Sequence, residues 1–311
     1  MRIKTKVTAI ALAAAALLAA GCGHNEDTPS EVAKYITVNT SIGQMTRMAT
    51  DADGSQRFEA NDQISVYAWT GKATEVAVNN LVVNNSVNTY DGTAWTASPL
   101  MLWADPGTPH FFLGIYPAKA QIASAVTDFT ADDYTLDTAD QEASDLLVAV
   151  QTGDKEAGLT ATANPVQLTF DHVMAKLIVN LNFRSQWGGT PTAVSVTAQD
   201  VATNAKVDYL HKAVAADDTS KKDIALPALA TPQAGYALSY ASIMVPQPGF
   251  SKITVTINGS DYTYTHSGEI KLEGGKYTTV NLTVGRDRIE LGDVTVNDWQ
   301  QGDVIDGGEA D

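Results

Sequence analysis

The chain has 311 residues, of which 36 are acidic and 20 basic, for a formal net charge of −16 at pH 7. That balance removes the electrostatic drive for binding nucleic acid or an anionic membrane surface. A single cysteine, Cys22, excludes a disulfide within this sequence and a zinc site built on paired thiolates.

In chain order, Arg2, Lys4 and Lys6 precede a run from Val7 to Ala20 that is apolar apart from Thr8. A positive start followed by an apolar run too short to span a bilayer comfortably reads as an export signal. The run ends in Leu18-Ala19-Ala20-Gly21-Cys22, which resembles the bacterial lipoprotein signal, with leucine one place further from the cysteine than usual. That resemblance implies a signal peptide over residues 1–21, cleavage before Cys22, and lipidation of the Cys22 sulfur, palmitate being the expected acyl chain. Each buried CH₂ of such a lipid contributes ~0.8 kcal/mol of anchoring, so a stable tether takes more than one chain. Residues 22–33, with Glu26, Asp27 and Glu31, form an acidic leash. It reads equally as a solvated spacer or as a segment resembling the acidic tether of surface-exposed outer-membrane lipoproteins.

Beyond the leash the dominant pattern has period two, the spacing of half-buried strands. In KYITVNTSI, Ile36, Val38 and Ile42 fall on one face, with Thr37 and Asn39 on the other. Leu177, Val179, Leu181 and Phe183 repeat the alternation, as do Ile253, Val255 and Ile257. Asn258-Gly259 then predicts a tight hairpin turn into Tyr262–Thr265. YTTVNLTV directs Val280, Leu282 and Val284 inward. Ala118–Val126 and Ala213–Ile224 offer room for a helical turn or two and no more. The fold class is therefore all-β, built of antiparallel sandwiches. A polar, small-residue stretch near Asp154–Pro165 suggests two domains, residues 34–165 and 166–311.

Catalytic constellations do not emerge. The histidines, His24, His110, His172, His211 and His266, stand at no metal-ligand spacing, and no nucleophile elbow or phosphate loop is present. No cofactor or metal is expected, and the chain reads as a non-enzyme. Asp51-Ala52-Asp53-Gly54 begins like a calcium loop without the later ligands, which favours a polar turn. Trp69, Trp95, Trp103, Trp187 and Trp299 would stack on sugars if they lined one face; core packing is the competing reading.

Several segments, taken in order, resemble one family. They are FEANDQISVYAW (58–69), YDGTAW (90–95), LMLWADPGTPHFFLGIYP (100–117), ADQEASDLLVA (139–149), LTFDHVMAKLIVNLNF (168–183), IMVPQP (243–248), LEGGKYTTVNLTV (272–284) and VNDWQQG (296–302). Together they resemble the fimbrillin-like (Mfa-like) family, the subunits of type V pili. One departure is Asn61-Asp62 where the family carries Gly-Asp; asparagine tolerates left-handed backbone well enough to keep the turn.

The resemblance implies two transthyretin-like sandwich domains in tandem, export as a lipoprotein, and polymerisation with other pilin subunits by donor-strand exchange. It places a cut by an arginine-specific protease between Arg47 and Met48, releasing the strand that carries Ile36, Val38 and Ile42. Burying an aliphatic side chain contributes roughly 1.5–3 kcal/mol. Losing three therefore rivals a whole domain's stability of about 5–15 kcal/mol, and the emptied groove must be refilled. Ile289, Leu291, Val294 and Val296 are the candidate donor strand, with ordinary core packing as the alternative. The change of phase at Gly292 suggests two short strands or a bulge. The expected location is the outer-membrane surface and the fimbrium, and the expected role is stalk subunit or tip adhesin with a host protein or glycan as ligand. A glycan-binding surface lipoprotein is the alternative.

Overall fold

The computed structural model describes residues 34–43, 57–76, 80–119, 128–287 and 289–298. The first half contributes β1 (Val38–Ile42), β2 (Gln63–Thr70), β3 (Leu81–Tyr90), β4 (Trp95–Ser98), β5 (His110–Tyr116), β6 (Asp132–Thr135), β7 (Leu147–Gln151) and β8 (Val166–His172). All of these except β6 form a seven-stranded sheet in the order β1-β8-β7-β5-β2-β3-β4. Its pairs are antiparallel apart from β1 and β8, which run parallel from Val38↔Val166 to Ile42↔Phe170.

This sheet curls until its two ends meet. Residues just before β1 reach the segment that follows β4: Ile36 N–H donates to the Met101 carbonyl (3.0 Å), and Trp103 N–H donates to the Lys34 carbonyl (3.3 Å). The enclosed core holds Ile36, Val38, Ile64, Val66, Phe112, Leu168 and Phe170. Segment 34–42 is thus the closing stave of the curled sheet, with β8 on one side and residues 101–103 on the other.

The second half supplies β9 (Ala175–Phe183), β10 (Val194–Val201), β11 (Asn204–Asp208), β12 (Ala213–Ala216), β13 (Lys222–Leu226), β14 (Leu238–Met244), β15 (Gln247–Ile257), β16 (Ser260–Leu272), β17 (Lys276–Val284) and β18 (Ile289–Asp298). Two four-stranded sheets, β13-β10-β15-β16 and β14-β9-β17-β18, enclose one core. Val196, Ile253 and Val255 from the first meet Leu177, Val179, Val280 and Leu282 from the second. Every pair is antiparallel except β9 with β17. The Asn-Gly hairpin forms as its sequence demands, with Asn258 at φ 51° and Gly259 at φ 81° joining β15 to β16. Of Ala213–Ile224, only Asp218–Ser220 makes a helical turn; β12 and β13 flank it.

The second core does not stop at the second half. It also contains Tyr67 and Trp69 of β2, Leu113 and Ile115 of β5, and Val148 of β7. Successive residues of a strand point to opposite faces, so these strands place Val66, Phe112 and Ala149 in one core and their neighbours in the other. A three-stranded sheet, β12-β11-β6, joins strands of both halves over the same core. The expected junction at residue 165 falls at the start of β8. Because β8 pairs with β7 and β1, the chain crosses to the second half between His172 and Ala175.

Candidate strand-exchange site

Inward and outward faces of segment 36–42 follow its period of two. Ile36 and Val38 are 2% and 4% exposed, Thr40 and Ile42 are half-buried, and Thr37, Asn39 and Ser41 face solvent. The strand is held mainly through its backbone. Thr37 N–H donates to Asn164 Oδ1 (2.8 Å), Val166 N–H donates to the Thr37 carbonyl (2.8 Å), and Gly43 N–H donates to the Phe170 carbonyl (2.7 Å). Side chains add an outward contact between the Ser41 and Thr169 hydroxyls (3.2 Å). On the inner side, the Trp95 indole N–H donates to Thr40 Oγ1 (2.9 Å).

The Trp95 ring is fixed from two sides. Phe58 meets it edge-on with centroids 5.1 Å apart, and Tyr90 lies against it at 5.0 Å. Phe58 in turn packs edge-on against Tyr116 and Phe170. Past Ile42 the slot opens into a cleft of about 310 Å³ lined by Arg57, Phe58, Asp62, Tyr116, Glu142 and Leu147 among others. The Tyr116 hydroxyl donates to Glu142 Oε1 (2.9 Å) and lies 3.3 Å from Asp62 Oδ1. Burial, with these carboxylates behind it, holds the phenol well above its ordinary pKa. Asn61, one residue before Asp62, adopts φ 84°, the left-handed backbone expected of it.

At the other end of the slot, His110 is fully buried and uses both ring nitrogens. Nδ1–H donates to the Thr108 carbonyl (2.7 Å), and Nε2 accepts from Ala104 N–H (3.1 Å). That arrangement needs the neutral imidazole. The ring also meets Trp103 edge-on at 4.9 Å, so it supports the segment that pairs with residues 34–36.

The candidate donor residues Ile289, Leu291, Val294 and Val296 all lie in β18, an edge strand paired with β17. Their opposite numbers are Val284, Leu282, Val280 and Thr278, so one face carries all four. An irregularity between Leu291 and Val294 resets the phase, making a single strand with a bulge at Gly292. Ile289 and Val294 pack on the second core, whereas Leu291 and Val296 are 39% and 40% exposed. An Arg184–Glu290 ion pair fastens the strand's start.

Cys22, Arg47, Met48, Trp299 and the Asp51–Gly54 stretch lie outside the described residues. The other tryptophans occupy separate places: Trp69 in the second core, Trp103 and Trp95 at the slot, and Trp187 beneath Arg286 while donating to the Val284 carbonyl. Among the described residues no group of three or more His, Cys, Asp and Glu side chains is placed to hold a metal ion. Sequence reading missed Thr40 and Trp95 as partners. Thr40 shares the parity of Val38, but nothing local connects it to a tryptophan 55 positions away.

Comparison with known proteins finds a family described as fimbrillin-like, matched over residues 46–299. No curated protein sequence matches. Among solved structures, a candidate cell adhesion protein from Bacteroides ovatus ATCC 8483 superposes with a TM-score of 0.67 at 17% identity, over 87% of this chain and 99% of that one. One from Bacteroides uniformis ATCC 8492 gives 0.59 at 17% identity, over 86% and 99%. A fimbrial protein from Bacteroides vulgatus ATCC 8482 gives 0.50 at 13% identity, over 85% and 99%. At these identities the likeness speaks for the shared fold, while the family match spans most of the sequence. The chain belongs to the fimbrillin-like family.

Proposed function

We propose that this protein is a fimbrial subunit or tip adhesin of the cell surface, acting by assembly and adhesion. It is exported as a lipoprotein anchored through Cys22 in the outer membrane and assembles with other pilin subunits in two sandwich domains. Cleavage between Arg47 and Met48 frees the segment ending in β1, and a strand from a neighbouring subunit takes its place.

The observation that carries this reading is the seat of β1. It is an edge strand, paired parallel to β8, with Val38 and, just ahead of the strand, Ile36 in the core, and the Arg47–Met48 bond follows five residues on in the sequence. Two fully buried aliphatic side chains contribute about 3–6 kcal/mol, and departure of the strand also unpairs the β8 edge. A cut there is productive only when an extended segment refills the slot.

The test is the N-terminal residue of protein sheared from the cells that make it. Met48 is expected from the wild type, together with detergent-resistant ladders, and both disappear in Arg47→Ala. Wild-type surface material that keeps its lipidated Cys22 throughout, with no ladders, sinks the polymerising version.

A further inference from the structure

We propose that the slot occupied by β1 is selective for the side-chain order of its occupant: aliphatic, aliphatic, hydroxyl, aliphatic at four alternate positions. This inference rests on the strand-exchange reading and specifies the chemistry of the partner segment. The first two positions, now Ile36 and Val38, sit in a core where an unpaired polar group would be costly. The fourth, now Ile42, borders a cleft whose lining sets Glu59, Asp62, Glu142 and Asp145 against Arg57, a balance that disfavours an acid.

The third position is the discriminating one. Trp95 Nε1–H points at Thr40 Oγ1, and its ring is pinned between Phe58 and Tyr90. It cannot swing to another acceptor without breaking those contacts. An occupant with valine there has the shape of threonine but leaves the indole N–H unpaired. The backbone adds a second filter. N–H groups at the places of Ile36, Thr37 and Gly43 donate to Met101, Asn164 and Phe170, so proline is excluded from all three.

The chain's own β18 does not offer this order. Ile289-Leu291-Asp293-Thr295 puts an acid third, and Glu290-Gly292-Val294-Val296 opens on an acid. With the observed bulge kept, Ile289-Leu291-Val294-Val296 puts valine third. Residues 289–296 of a second copy therefore match the slot in none of these registers, and the matched occupant is an extended segment with a hydroxyl at the third position.

The experiment uses the full mature chain with Cys22→Ser, nicked after Arg47 by an arginine-specific protease, with the released fragment labelled. Synthetic peptides then compete for the slot: YITVNTSIG, its Thr40→Ser and Thr40→Val forms, and residues 287–298. The serine form is expected to compete within about threefold of the parent. The valine form and the β18 peptide are expected to compete about tenfold more weakly, the upper end of what one hydrogen bond lost at a half-buried donor costs. In Trp95→Phe protein the threonine–valine difference vanishes. Equal competition by the valine or β18 peptide overturns the selectivity while leaving strand exchange standing. A fragment that no peptide displaces, the parent included, removes both. Should the nicked protein precipitate, a double-mutant cycle of Thr40→Val and Trp95→Phe in the intact chain decides. Coupling of about tenfold in the unfolding equilibrium upholds the hydrogen bond as the discriminator, and additive effects overturn it.

Discussion

His110 shows how one side chain ties pH to the closing strand. Its neutral ring donates through Nδ1 and accepts through Nε2, and protonation would set a new N–H against Ala104 N–H. Burial lowers its pKa, against smaller opposing effects of the Thr108 carbonyl and the Asp105 carboxylate, the charged group that faces it. Because the folded value lies below the unfolded one, the unfolded chain binds more protons on the acid side. His110's contribution is thus complete above about pH 6.5, the ordinary histidine value, and is lost as the pH falls from there. The urea midpoint is expected to drop between pH 7.5 and pH 5, and to drop less in His110→Gln. An identical drop in that variant would assign the effect elsewhere. The sequence named His110 but could not have shown its burial, since its ring partners are backbone groups that any residue supplies.

Among the elements, the two edge strands β1 and β18 differ in how deeply they are committed. Val38 of β1 and Ile36 just before it are buried almost completely, whereas β18 packs Ile289 and Val294 only partly on the core and leaves Leu291 and Val296 more open. Ile36→Ala is therefore expected to cost about 2–5 kcal/mol, the range for truncating a buried aliphatic chain. Asn39→Ala, on the solvent face of the same strand, should stay within about 0.5 kcal/mol. Urea denaturation of the two variants checks the contrast; similar losses would mean that β1 is not seated as described. β1 was legible as an alternating run; in β18 the change of phase at Gly292 left two short strands or a bulge open, and its pairing with β17 shows the bulge. β2 and β5 are less legible in that way. In β5, HFFLGIY is buried throughout because each face meets a core, so the alternation that marks a half-buried strand is missing.

At the scale of the whole molecule, the decisive feature is that the second core reaches through β9, β10, β15 and β17 into the back of β2, β5 and β7. A polar node strengthens the same junction: Tyr209 donates to Asp132 (2.6 Å), and Lys119 reaches both (2.5 Å and 2.8 Å). Unfolding either half would expose apolar surface of the other. Far-UV dichroism, near-UV dichroism and tryptophan fluorescence are therefore expected to report one coincident thermal transition. Two resolved transitions would show the halves to be independently stable.

Side-chain order by itself determined that the chain is built of strands, that Ile36, Val38 and Ile42 share the inward face of segment 36–42, and where the Asn-Gly hairpin turns. Each of these is a local matter of alternation or of backbone φ. Tertiary structure alone decided that β1 lies parallel to β8, that residues 101–103 pair with residues 34–36 just before it, and that Trp95 reaches Thr40. Strand pairing is made by N–H and C=O groups common to nearly every residue, so alternation reports which face is buried and carries little information about which distant strand lies alongside.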